Sequence, residues 1–138
     1  LTQIYGLANS PMPVSLSNIS PQQLDLTLQS ANGLTFASST FTVETAGLYL
    51  LSGNASGLAD NPQVAGVLTI RASASDANWV TASSSAGEDG VEVNVSASRV
   101  VRLAVGDTIG LYAFVDETVA TNDWFLFDYS LSAVYLGP

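Results

Sequence analysis

The chain has 138 residues, enough for one core and too few for two at the usual domain size of roughly 100 to 150 residues, and 47% of them are hydrophobic while only 11% are charged. Twelve acidic residues stand against three arginines and no lysine, a net charge of −9 that excludes the clustered cations needed to bind nucleic acid or an anionic membrane surface. Cysteine and histidine are both missing, which removes disulfides, thiolate chemistry, the usual protein ligands of zinc and the commonest general base. No window approaches the run of about 18 apolar residues that membrane insertion requires, and "LTQIYGL" has neither the basic start nor the apolar run of a signal peptide. A start at Leu1 without an initiator Met reads as a piece cut from a longer protein.

In chain order, "QIYGLA", "PVSLS", "LDLTL", "GLTF" and "FTVE" are short apolar-alternating runs separated by Pro, Gly, Asn and Ser, the pattern of strands and turns. After Ala46-Gly47 comes "GLYLLSGNA", a run that begins apolar and fades into small polar residues, and then "AGVLTIRASA" and "WVTASS". From Val91 to Val105 the odd positions are apolar except Arg99 and the even ones largely polar, the period of a strand with one buried face. The break at Arg99 has two readings, a bulge near Ala97 to Arg99 that turns the guanidinium to water, or a buried ion pair.

"AVGDT" predicts a turn, with Gly106 at positive φ and the Asp107 carboxylate accepting from nearby amides. "TIGLYAFVDE" returns from it, and the last run is "WFLFDYSLSAVYL". Simple alternation puts Phe125, Phe127, Tyr129, Leu131, Ala133 and Tyr135 on one face and Asp128, Ser130 and Ser132 on the other. A strand so rich in aromatics is a hazard at an edge, so it is expected at the centre of a sheet, covered by the core on one side and by a neighbouring subunit on the other. Helix signals are nearly absent, and roughly ten strands at this spacing predict an all-β sandwich.

The stretches "ANGLTFASSTFTVETAGLYLLSGNASG" and "RVVRLAVGDTIGLYAF", with the aromatic-rich final strand, resemble the heads of the complement C1q and tumour necrosis factor superfamily. Within it they are most similar to the bacterial branch, the C-terminal heads of collagen-like surface glycoproteins such as the BclA group of the spore exosporium. The resemblance runs from about Tyr5 to Leu136. It implies a ten-stranded antiparallel jelly roll, residues 1–138 as a single head domain preceded by a collagen-like or fibre stalk, and a compact homotrimer at the cell or spore surface. The lack of Cys and of basic patches departs from the vertebrate heads, so their ligands do not carry over.

Tyr49, Tyr112, Phe114, Phe125, Phe127 and Tyr129 are the candidates for core or trimer-interface packing, and an exposed set of Tyr112, Phe114 and Phe127 would be too apolar for a soluble monomer. Glu88 and Asp89, flanked by glycines, and Asp116, Glu117 and Asp123 around "TVATN" form two oxygen-rich loops of a composition that suits Ca²⁺, with solvated hairpin tips as the plainer reading. Trp79 and Trp124 are either stacking platforms for a sugar or core residues. The abundant serines have no His or Lys to activate them, and a glycosidase pair of carboxylates about 5 to 9.5 Å apart needs a deeper cleft than a small sandwich makes, so an enzyme is not expected.

Two functional readings follow. The first is a non-enzymatic head that nucleates a stalk trimer and presents loops to a glycan or protein ligand, with a phage fibre tip as a variant. The second is a carbohydrate-binding β-sandwich module of a secreted enzyme.

Overall fold

A computed structural model describes residues 3–16, 20–59, 65–71, 78–85, 92–115 and 124–138, with backbone only for 59, 65, 78–80 and 82–85. The strands are β1 (Tyr5–Asn9), β2 (Val14–Leu16), β3 (Gln22–Gln23), β4 (Thr27–Asn32), β5 (Leu34–Ala37), β6 (Thr40–Val43), β7 (Gly47–Ala59), β8 (Ala65–Arg71), β9 (Asn78–Ser85), β10 (Glu92–Leu103), β11 (Thr108–Val115) and β12 (Trp124–Gly137). They form two antiparallel sheets, β10-β7-β12-β1-β4 and β5-β6-β11-β8-β9, with the short β2 added to β12 and β3 to β11. Among the described residues ten strands form the two continuous orders and two short ones are added, twelve in all, in the jelly-roll arrangement. Among the described residues no helix is long and apolar enough to cross a membrane.

The core lies between the sheets. Alternation on β7 and β10 sends Tyr49, Leu51, Ala55, Val93, Val95 and Leu103 inward to meet Leu68, Ile70, Ile109 and Leu111 of the second sheet. Between the sheets some positions leave no room for a side chain: a Cβ on Gly66 of β8 would lie 2.6 Å from the Trp124 ring of β12. The turn "FTVETAGLYL" carries the chain from β6 in one sheet to β7 in the other, and the Tyr49 hydroxyl braces it by donating to the Thr45 carbonyl at 2.7 Å.

The "AVGDT" turn has the chemistry its residues predict. Gly106 sits at φ +93°, a value that favours glycine, while the Asp107 carboxylate accepts from the Ala104 amide at 2.8 Å. Neither reading of the break at Arg99 holds: β10 pairs with β7 in unbroken register from Glu92 to Leu103, so there is no bulge, and Arg99 is exposed on an edge strand, so its charge is not buried. A charge there blunts the edge against pairing with other chains.

β12 is the central strand of its sheet, as its composition predicts. Its faces differ from simple alternation. A register irregularity between Leu126 and Asp128 inserts Phe127 as an extra residue and reverses the phase. Trp124, Leu126, Tyr129, Leu131 and Ala133 therefore face the core, whereas Phe125 and Phe127 point out at 43% and 40% exposure.

The ends of the described chain lie together. Tyr5 is opposite Val134, and the Tyr135 amide donates to the Ile4 carbonyl at 3.0 Å. The ends of β7 and β8 at Ala59 and Ala65, of β9 at Ser85, of β10 at Glu92, of β11 at Val115 and of β12 at Trp124 all gather at the opposite end of the sandwich.

Candidate functional site

The outward sides of the two sheets are built differently. On β8 and β11, inward Leu68, Ile70, Leu111 and Ala113 alternate with outward Val67, Thr69, Arg71 and Tyr112, yet these outward residues are buried too, Thr69 at 0% and Tyr112 at 5% exposure. Tyr112 lies opposite Thr69, its ring edge covers Gly110, where a Cβ would come within 3.1 Å of it, and the Arg71 guanidinium stacks 5.8 Å from its centroid. Gln23, opposite Tyr112 on the other side, is tied down by donating to the Ser38 carbonyl and the Thr40 hydroxyl. Around Tyr112 this face is covered within the chain, while Thr35 and Ala37 on β5 and Thr81 on β9 are exposed.

The outward side of β10-β7-β12-β1-β4 is open, and its residues fall into rows set by the register. The lower row is apolar: Tyr5, Val134, Leu50 and Val100 stand side by side across β1, β12, β7 and β10. Above it, β12, β7 and β10 contribute three polar rows: Ser132-Ser52-Ser98, then Ser130-Asn54-Ser96, then Asp128-Ser56-Asn94. At the top the surface turns apolar again, with Phe125 paired to Leu58 and Phe127 beside them at the bulge. Over β12, β7 and β10 the face is therefore two apolar bands separated by a three-by-three grid of hydroxyls, amides and one carboxylate, with Glu92 closing the upper band on β10 and the exposed Leu7 of β1 beside Ser132. A shallow depression of about 290 Å³ between β7 and β10 lies within the grid, lined by Ser52, Asn54, Ser96 and Ser98.

Charge is sparse on this face. Among the described residues its outward charged groups are Asp128, Glu92 and Arg102. Two tyrosines behind it have phenols held neutral beyond their ordinary range. Burial raises the pKa of Tyr49, with Tyr135 and Glu44 adding to the effect, and burial raises that of Tyr129, with Asp25 adding to it. The Tyr129 hydroxyl donates to the Asp25 carbonyl at 2.8 Å.

The candidates named from sequence are thus distributed as follows. Tyr49 and Tyr129 are core residues, Tyr112 is buried on the closed face with half-buried Phe114 on the same strand, and Phe125 and Phe127 are exposed on the open face. Tyr112, Phe114 and Phe127 do not form one patch, because β11 and β12 belong to different sheets. Trp124 is 1% exposed and its ring packs on Gly66, so it offers no face to a sugar. Trp79 is the unpaired extra residue where β9 meets β8, and its side chain lies outside the described residues, as do Glu88, Asp89, Asp116, Glu117 and Asp123. The residues that sequence reasoning missed are the grid and the lower band. The fading of "GLYLLSGNASG" into alternating Ser, Asn and Ser carried that signal.

No protein-family model matches the sequence, and no curated protein does. Solved structures match it along nearly its full length. Eiger TNF from S. frugiperda aligns with a TM-score of 0.73 at 13% identity, covering 99% of this chain and 94% of that one. Murine APRIL at pH 5.0 aligns with 0.71 at 15% identity, covering 98% and 100%. The globular domain of zebrafish complement 1qA protein aligns with 0.70 at 14% identity, covering 99% and 98%. The likeness is one of fold: the chain has a C1q/TNF-like jelly roll.

Proposed function

We propose that this chain is the non-enzymatic, trimer-forming head of a bacterial collagen-like or fibre-type surface protein, which aligns three stalks and displays its far end for adhesion or surface coating. The observation that carries the reading is the open face of the β10-β7-β12-β1-β4 sheet, where Phe125, Phe127 and Leu58 stand exposed, whereas on the other sheet the outward Val67, Thr69, Arg71 and Tyr112 are buried within the chain. Three long strands about 4.8 Å apart with ten residue steps of about 3.3 Å, and the shorter β1 and β4 beside them, give this face roughly 600 Å², near the share of about 800 Å² that one partner contributes to a standard interface. The described outward charges of this face, Asp128, Glu92 and Arg102, sum to −1, so a second copy meets little repulsion from them. The threefold form is what the C1q/TNF-like fold suggests, and the short motifs "FTVETAGLYLL" and "RVVRLAVGDTIGLYAF" point to the bacterial collagen-like branch.

The polarity of the sandwich supports display. A stalk entering at the end where β1 and β12 lie together leaves the opposite end facing outward. The carbohydrate-module reading loses Trp124 as a platform, and no enzyme is proposed for a chain whose serines have no His or Lys beside them. Multi-angle light scattering of the domain at micromolar concentration tests the reading: a particle of three chains is expected, and a stable monomer overturns it.

A further inference from the structure

We infer that the polar grid between the two apolar bands is a registration device, which lets copies of this chain pack side by side only at equal height. The inference rests on the self-assembly proposed above and adds what decides the alignment.

Along β7 the bands are centred on Leu50 and Leu58, eight residues and so about 26 Å apart. The face that fits such a pattern must repeat both bands at the same separation, with polar groups between. Another copy of this chain does so when the copies are related by rotation about an axis running along the strands, because rotation leaves every residue at its own height. Band then meets band, and the hydroxyls and amides of one grid meet those of the next, where each can donate and accept directly or through water.

A slide by one two-residue step of about 6.6 Å changes every contact. Phe125 and Leu58 move against Asp128, Ser56 and Asn94, and Leu50 and Val134 against Ser, so at both bands polar groups leave water without gaining partners while the inner polar rows still meet polar rows. A uniformly apolar face would pay no such penalty and would tolerate many alignments. The grid therefore acts against competing arrangements more than it strengthens the correct one. The area of the face, its low charge and the match of its bands to themselves all select a second copy as occupant over an unrelated partner.

The chain has no cysteine, so a single Val105→Cys, at a turn residue 67% exposed and away from the face, allows one spin label per chain. In the otherwise native domain, pulsed dipolar spectroscopy is expected to give one narrow inter-chain distance. Ser52→Val with Ser132→Val should keep the oligomer but add further distances, from chains displaced in steps of about 6.6 Å, and native mass spectrometry should find more than one stoichiometry. Ser52→Val alone, one hydroxyl for one methyl on a strand surface, should add a smaller second population if the double variant does not fold. One narrow distance and one stoichiometry in a folded valine variant overturn the registration role while leaving the assembly intact. A labelled native domain that is monomeric, with no inter-chain distance, overturns the assembly itself.

Discussion

The two outward sheet faces have similar architecture and opposite fates. On β8 and β11 the outward residues are larger, and they fold onto one another: Arg71 over Tyr112, Tyr112 over Gly110, Thr69 beneath. On β7, β10 and β12 they are mostly Ser and Asn, too short to cover their neighbours, so the larger side chains at the two ends stay exposed. A long side chain such as Tyr112 or Arg71 can lie over its neighbours on a sheet face and Ser cannot, one reason the chain leaves the grid open. The face it cannot close is the one left for partners.

The largest test of this contrast breaks the open face. Phe125→Asp with Leu58→Asp adds two charges where a partner would pack, and association should weaken at least 100-fold in sedimentation equilibrium. The monomer itself should lose about 1 to 2 kcal/mol, since the two new carboxylates stand opposite each other with Glu92 alongside, so circular dichroism of the variant checks that it stays folded. The closed face should respond the other way. Tyr112→Ala removes a buried ring and should cost about 3 kcal/mol in urea unfolding of the monomeric variant, with the number of chains in the otherwise native particle unchanged. A gentler probe of the same face is Gly110→Ala, whose methyl crowds the Tyr112 ring and should cost about 1 kcal/mol.

Much of the architecture was legible in the sequence because period-two patterning and turn chemistry are local. The strands, the Gly106-Asp107 turn and the central place of β12 all follow from neighbours a few residues apart. The Phe127 irregularity was not legible, since an extra residue in one strand is decided by its partner's register, and one such residue transferred the two phenylalanines from the inward to the outward side. The burial of Tyr112 was hidden for a related reason. It depends on Arg71 and Gly110 meeting across two strands, and nothing in "TIGLYAF" distinguishes a closed face from an open one.

The smallest expected effect belongs to the core behind the open face. Tyr49 and Tyr129 have raised pKa values in the folded chain, so the unfolded chain loses its phenolic protons first as pH rises past about 10. The stability linked to these protons is therefore complete below that point and declines through the folded values. Urea midpoints measured from pH 8 to 11.5 should fall above about pH 10, and Tyr49→Phe with Tyr129→Phe should flatten the fall.

β1 is hydrogen-bonded along both sides, to β4 and to β12, and residue 3 leaves it at the end away from Ala59, Ser85 and Val115. Ladder bonds run across the strands. A tension entering at residue 3 and resisted at the far end of the sandwich therefore loads both ladders of β1 in shear, all bonds together, instead of peeling them one by one. The same strand order that brings the chain ends side by side gives the molecule a mechanical clamp at the point where a pull would enter.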